Sequence, residues 1–484
     1  MRKFNKSVFI SFTLIGLLFF ISCGKMSDVE RGKKFMSLGD YENAIKAFEL
    51  AMWDKPDDAE IRYQLAEALE KSGERRSAYK QYLFSAKIGS KSISKRFTER
   101  AWEFYEQKDY DAKELAKLAI IAHKKNAQAQ FIYGYYRIRR DDRISGLPFL
   151  RDAIDWSSDK KIVEPTFEAI SKNKTMLTPA FIEMVTSTKD RFEEFGPVVF
   201  SPFKDEILWS RAKRDHRGRY QIKDIKLFSG SLRDTLKNEI TTVGTSIAFP
   251  VCSSDSTFLY YSDGARIYQY NRKQNTTARL MNGSFPDVSV DGNRLVFSRK
   301  WTIFISDSVD KNITALIKRK ENEYYFLPRF VSPKDSAIVF LSYEYPELAF
   351  FISDTAGTSK KKIAKIDRYG FDYDRPWLNA YDISPDGKKI VFSRDQQLYF
   401  LNIETGKEDT LNVYGAYPTF SPDGKKLTIL TRAFSEIGEV ATVDLEEVQK
   451  ANELFDSGKL NRKKLLKLLK KATKGMEKEE FEVD

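Results

Sequence analysis

Cysteine and histidine are almost missing from this chain, and each shortage removes a class of chemistry. The two cysteines, Cys23 and Cys252, leave one thiol in the body of the chain, so no internal disulfide framework forms unless Cys23 takes part. The two histidines, His123 and His216, have no Cys/His cluster near either. A zinc site of the usual ligand set is therefore not expected. Glycine-built active-site motifs are lacking as well. There is no G-x-S-x-G nucleophile elbow, no phosphate-cradling P-loop and no dinucleotide-binding glycine pattern. No cofactor and no metal is expected.

What is present is a long, folded, basic chain. Its 484 residues exceed one ordinary core, which predicts two or three domains. A hydrophobic fraction of 42% and an aromatic fraction of 14% favour packed domains over disorder. The formal net charge of +12 is spread widely and concentrates in two places, the extreme N-terminus and residues Arg462–Lys474. No basic-helix, zinc or RNA-recognition motif accompanies it, so nucleic acid is not an expected partner.

The N-terminus reads as an address. Arg2, Lys3 and Lys6 precede Val8–Ile21, 14 almost wholly apolar residues, short for a spanning helix and suited to a signal-peptide core. The run ends in Phe20-Ile21-Ser22-Cys23-Gly24, which resembles the lipobox of bacterial lipoproteins, with Phe20 where leucine is usual. The resemblance implies a signal peptide over 1–22, lipidation of Cys23 and an anchor linker over 23–27. Acyl chains on Cys23 then hold the chain to a membrane. Gly24 in place of Asp implies the outer membrane by analogy. An uncleaved anchor or an ordinary secretory signal is the alternative, and both export the chain.

Residues 28–195 carry helical signals. Ala44-Ile45-Lys46-Ala47-Phe48-Glu49-Leu50-Ala51, with Pro56 beyond and Gly39-Asp40-Tyr41 before, has small residues where two helices approach, an aromatic filling the gap and a proline stopping the second helix. A second copy places Ala78, Tyr82 and Ser85 at the positions of Ala44, Phe48 and Ala51, and looser pairs span Trp102–His123 and Phe131–Trp156. These segments resemble tetratricopeptide repeats. Ile162–Ile170 and Pro179–Phe195 also read as helices, outside the repeat pattern. The resemblance implies a concave face built from the first helix of each pair. Glu60, Tyr63, Glu67, Gln128, Phe131 and Tyr135 are the expected lining of a groove for a peptide or partner protein, and a rigid spacer is the plainer alternative.

From 196 to about 445 the period changes to two. Phe420-Ser421-Pro422-Asp423-Gly424-Lys425-Lys426-Leu427 has a near twin at Ile383–Ile390, and looser copies run through Ser289–Leu295, Ser332–Ile338, Cys252–Phe258 and Ser201–Ile207. Six such units, each a strand, a turn and further strands, predict a six-bladed β-propeller. The repeated F-S-P-D-G-K-K stretch resembles the WD-repeat-like blades of the TolB propeller family. Asp291, Asp386 and Asp423 are expected to shape turns rather than bind calcium, because Pro presets the turn, Asp bonds its own backbone and Gly takes the left-handed position. The last unit shows three strands. Either a strand from before Val198 completes it or it stays open.

Residues 446–484 form a basic amphipathic C-terminal helix and an acidic tail, with Leu465 and Leu469 among Lys463, Lys464, Lys467, Lys470 and Lys471. Packing of the leucines on a neighbouring domain is favoured over membrane contact. The expected fold is thus multidomain α plus all-β: an N-terminal α-solenoid of tetratricopeptide-like helix pairs, then a six-bladed β-propeller and a C-terminal helix. The expected function is a non-catalytic protein-binding scaffold of the bacterial envelope. It would face the periplasm, hold envelope proteins or peptides through the repeats and a propeller face, and touch the membrane through Cys23. The alternative is a propeller enzyme using channel carboxylates on carbohydrate or peptide.

Overall fold

The computed structural model describes residues 26–139, 144–187, 193–202, 206–213, 226–231, 237–242, 250–309, 311–366, 380–431 and 439–476. Cys23 and the signal-peptide reading lie outside them, as does the strand expected at Leu232–Leu236. The chain divides into two compact units, one ending at Thr166 and one spanning Phe167–Met476.

The first unit is an array of helix pairs. First helices are α1 (Asp28–Ser37), α3 (Ala59–Lys71), α5 (Lys91–Glu106) and α7 (Ala127–Ile138); second helices are α2 (Tyr41–Asp54), α4 (Arg75–Ile88), α6 (Asp111–Ala122) and α8 (Leu147–Trp156). Their starts are written in the sequence. Ser27 and Glu30 form a reciprocal capping box on α1, and Asp40, Asp58, Ser90 and Asn126 cap α2, α3, α5 and α7 with side-chain oxygens. The small residues act as expected. A methyl group on Gly32 would stand 2.5 Å from the Phe48 ring, so α1 and α2 approach only because Gly32 has none. Buried hydroxyls tie the two helices of a pair together: Ser85 of α4 donates to the Ala59 carbonyl of α3 at 2.6 Å, and Ser94 of α5 to that of Ala119 of α6 at 2.7 Å. A further helix, α9 (Lys160–Lys172), follows.

The second unit is the propeller. Among the described residues its strands form six four-stranded antiparallel sheets. Blade 1 is β2 (Glu193–Phe200), β3 (Glu206–Lys213), β4 (Lys226–Ser231) and β5 (Lys237–Thr242), following β1 (Ile182–Ser187) in the chain. Blade 2 is β6 (Val251–Cys252), β7 (Phe258–Ser262), β8 (Arg266–Asn271) and β9 (Thr276–Asn282); blade 3 is β10 (Ser284–Val288), β11 (Leu295–Arg299), β12 (Thr302–Ser308) and β13 (Lys311–Ile317). Blade 4 is β14 (Glu323–Phe330), β15 (Ala337–Glu344), β16 (Glu347–Asp354) and β17 (Lys360–Ile366); blade 5 is β18 (Tyr381–Ile383), β19 (Lys389–Arg394), β20 (Gln397–Asn402) and β21 (Glu408–Tyr414). Blade 6 takes β22 (Ala416–Phe420), β23 (Lys426–Thr431) and β24 (Glu439–Asp444), and β1 pairs with β24 as its fourth strand.

That pairing corrects the helical reading of Pro179–Phe195. The segment holds β1 and the start of β2, so the strands begin before residue 196. Ile182 lies opposite Val443 and Met184 opposite Ala441. β1 supplies β24 with the partner that a three-stranded blade would leave missing. The seam is reinforced where blade 6 meets blade 1: Thr419 and Thr428 both donate to the Val198 carbonyl, at 2.9 and 3.2 Å.

The C-terminal region forms two helices rather than one, α10 (Leu445–Asp456) and α11 (Arg462–Ala472). Leu465 and Leu469 are fully buried, and α11 packs on the 3-10 helix Lys174–Ala180 that leads into β1. Packing is therefore what the leucines do. The same 3-10 helix receives the Tyr414 amide on Thr178 Oγ1 at 2.8 Å, and Lys174 pairs with Asp456 of α10 at 2.7 Å.

Candidate functional site

Two places collect polar side chains with defined geometry. The first is the row of first helices. Glu60, Tyr63 and Glu67 recur at helical spacing on one face of α3, but that face meets α5. Arg96 of α5 pairs with both Glu60 and Glu67, the latter at 3.1 Å, and its guanidinium lies 4.0 Å from the centre of the Tyr63 ring. One turn on, Arg100 donates to Glu70 at 2.9 Å and to the Tyr82 hydroxyl at 2.6 Å, while Tyr82 donates to Glu70 at 2.7 Å. Below the guanidinium groups Tyr63, Tyr82 and Phe97 pack edge to face with ring centres 5.0 to 5.6 Å apart. Burial pushes the Glu67 carboxyl up against the opposing pull of Arg96, and burial also raises the Tyr63 and Tyr82 hydroxyls.

This arrangement sorts the six residues expected to line a groove. Tyr63 is 1% exposed and Phe131 is fully buried, so both are core and neither offers a face to a partner. Phe131 sits in an aromatic layer with Trp102, Tyr105 and Tyr135. Glu60 and Glu67 reach the surface but are held by Arg96. Gln128 is exposed, and Tyr135 is half-buried and accepts from Arg139 at 2.8 Å. The residues missed were Arg96 and Arg100. Their signal was complementary charge on successive first helices, three glutamates on α3 facing two arginines on α5.

An open hollow of about 880 Å³ lies next to this cluster. Lys33 of α1, the linker Lys55–Asp58, Glu60 and the turn Ile88–Ser90 line it. Asp58 and Ser90 are occupied as helix caps, accepting backbone amides at 2.9 and 3.0 Å. Lys33, Lys55 and Asp57 remain exposed, so the hollow presents charges of both signs to whatever enters it.

The second place is the propeller. Its repeated turns are structural. In blade 6 Ser421 donates to Asp423 at 2.7 Å and accepts the Lys426 amide at 2.9 Å, while Asp423 accepts the Lys425 amide at 3.1 Å. Blades 5 and 3 repeat the set with Ser384/Asp386 and Ser289/Asp291. Blade 2 keeps it with Ser253/Asp255, and Ser256 takes the left-handed position (φ 53°) that glycine holds elsewhere. Hydrogen bonding to Ser253 holds the Asp255 carboxyl down at about 2. In these four blades Ser and Asp, not Pro and Gly, are the constant parts, whereas Asp335 of blade 4 accepts the Val290 amide of blade 3 instead.

Carboxylates also gather on the first strands, which lie against one another between blades. Asp287 of β10 accepts the Phe330 amide at 2.8 Å and Arg329 at 3.1 Å; Asp382 of β18 accepts the Phe420 amide at 2.8 Å. Each aspartate thus bonds the first strand of the following blade. Burial pushes Asp382 up to about 6 although Arg329 opposes it. These are the carboxylates nearest to an enzyme reading, and the blade seams already use them as acceptors.

Comparison with known proteins adds the following. Residues 32–73, covering most of α1 and all of α2 and α3, match the family model described as TPR repeat. No curated protein sequence matches the chain. Among solved structures, TolB from Acinetobacter baumannii is 14% identical with a TM-score of 0.36, covering 52% of this chain and 80% of that one. Oligogalacturonate lyase from Vibrio parahaemolyticus is 11% identical with a TM-score of 0.37, covering 54% and 93%. A nidogen/laminin complex is likewise 11% identical with a TM-score of 0.37, covering 53% and 90%. At these scores the structural likenesses say nothing of activity. The repeat match is specific, and it places the α1–α3 stretch among tetratricopeptide repeats.

Proposed function

We propose that the chain is a non-catalytic protein-interaction scaffold, anchored by lipid on Cys23 in the outer membrane and facing the periplasm of a bacterial cell. The observation that carries the scaffold reading is the helix-pair array with its hollow of mixed charge beside α1, α3 and the start of α5. Arrays of this kind offer an extended face whose contacts are set by surface side chains, while the buried layers only hold its curvature. The propeller supplies a second rigid surface, and its described carboxylates at the blade seams serve the fold. Support for the anchor comes from the sequence alone: the basic start, the apolar run Val8–Ile21 and Ser22-Cys23-Gly24.

Crosslinking in intact cells, then purification and identification of captured proteins, tests the scaffold. The double change Lys33→Glu and Lys55→Glu touches two exposed groups and should leave thermal stability within about 0.5 kcal/mol. It is expected to lose the captured partner. Capture of nothing specific by the natural chain, or undiminished capture by the variant, sinks the reading. For the anchor, Cys23→Ser, made with a cleavable secretory leader in place of residues 1–22 so that no apolar run remains, is expected to leave salt-washed membranes, while Cys23 behind the natural leader stays; equal behaviour of the two rejects lipidation.

A further inference from the structure

We propose that the outward face of α11 is a docking surface for anionic phospholipid, independent of any lipid on Cys23. Its eleven residues, RKKLLKLLKKA, hold six cations and no acid. Leu465, Leu469 and Ala472 are fully buried and Leu466 and Leu468 half-buried, so the apolar side is packed against protein and the helix does not lie free to insert into a bilayer core. Lys463, Lys467 and Lys470 stand opposite them at i, i+4 and i+7, one stripe along the helix, with Lys464 and Lys471 on its flanks and Lys474 just past its end. Lys464 contacts the Lys459 carbonyl at 3.2 Å, Lys471 pairs with Glu447 of α10, and Lys470 also has a partner. All six lysines are exposed.

The composition of the stripe chooses the class of partner. Protein interfaces concentrate their energy in aromatic and arginine anchors seated in desolvated pockets, and their cores are poor in lysine. This stripe has lysine and nothing else, no ring and no apolar centre. Lysine is a strongly hydrated point charge that asks only for density of negative charge nearby. A plane of phosphate headgroups supplies that without shape complementarity, and each lysine near such a surface adds to the attraction. A nucleic acid would supply it too. The choice of lipid rests on the export reading above, which keeps the chain away from nucleic acid.

The test uses the full chain, made without lipidation, so that the acidic residues 477–484 exert whatever screening they do. Co-sedimentation is measured with phosphatidylglycerol vesicles, with phosphatidylcholine vesicles and with added duplex DNA as competitor. The basic N-terminal start also favours phosphatidylglycerol but is the same in the natural chain and the variants, so the change in the phosphatidylglycerol excess between them is the quantity read. Lys463→Glu with Lys467→Glu and Lys474→Glu is expected to cut that excess at least tenfold, and the three Lys→Arg changes are expected to keep it. Raising salt from about 50 to about 500 mM is expected to reduce it strongly in the natural chain, because a charge array of this kind is screened within a Debye length. An excess within twofold of the natural chain in the Glu variant overturns the proposal. So does an excess indifferent to salt, a reading that does not depend on whether the variant folds. Tighter binding to duplex DNA than to phosphatidylglycerol at equal charge concentration overturns the lipid assignment. None of these outcomes touches Cys23, whose own test is release from salt-washed membranes.

Discussion

At the scale of single residues the twin turns of the propeller look alike and are not equally tolerant. Gly387 and Gly424 both sit in the left-handed region, with φ of 70° and 69°. A methyl group on Gly387 would stand 2.1 Å from the Ser332 carbonyl of the preceding blade, whereas on Gly424 its nearest neighbour is Pro385 Cδ at 3.5 Å. Gly424→Ala is expected to cost about 1 kcal/mol, the strain of the conformation alone. Gly387→Ala adds a clash with backbone and is expected to cost more than about 3 kcal/mol. Denaturant unfolding of the two variants side by side measures the difference. Asp382 gives a pH signature. Its carboxyl is raised from the ordinary 3.8 to about 6 by burial, so the folded state holds the proton more tightly than the unfolded chain. The stabilisation this brings is complete below the unfolded value and is lost as pH rises through about 6. The stability of the natural chain relative to Asp382→Asn is therefore expected to grow by about 1 kcal/mol between about pH 7 and about pH 5. A difference that shrinks on acidification contradicts it.

At the scale of elements, two guanidinium groups join α3 and α5, and Arg96 spans the more partners of the two. Arg96→Ala leaves Glu60 and Glu67 without their shared partner and uncovers the Tyr63 ring, and is expected to cost the helical unit about 1–2 kcal/mol. Arg96→Lys is expected to recover little, because a single ammonium cannot span two carboxylates and stack on a ring together. Helical content followed through thermal unfolding reports both. This contact also marks where reading the sequence stops. Helix pairs, turns and most strands were legible because their signals are local: Ala44 and Phe48 at helical spacing, Ser421 and Asp423 two residues apart, the short apolar and aromatic run within Gln397–Asn402. β1 was not legible. Ala180 to Val185 is apolar enough to suit a helix, and the partner that makes it a strand, β24, is remote in sequence. Tyr63 and Phe131 were placed in a groove for a related reason, although both are core. Spacing showed that Tyr63 and Glu67 share a face of α3, and only the neighbouring helix decides whether that face is groove or seam. The turn of blade 2 lacked Pro and Gly and so read weakly, although Ser253 and Asp255 carry the hydrogen bonds that matter.

At the scale of the whole molecule the propeller is a ring closed by its own two ends. A chain beginning at Lys174 keeps the 3-10 helix with its contacts to α10 and α11 and keeps β1 paired with β24, and is expected to unfold in one cooperative step. A chain beginning at Glu193 lacks them, exposes the edge of β24 and is expected to be poorly soluble. Size-exclusion chromatography of the two fragments decides; equal behaviour would show that β1 is dispensable. The clasp also sets a schedule. Strand β24 reaches its place only after about 260 further residues have been made, and joining ends so far apart costs roughly 5 kcal/mol of chain entropy before any pairing is returned. The helix pairs, whose contacts are near neighbours in sequence, have no such wait. On a chain emerging from its N-terminus the repeats are complete first. The blades then accumulate as an open arc, and the ring shuts in a single late event that proofreads the arrival of the C-terminal third.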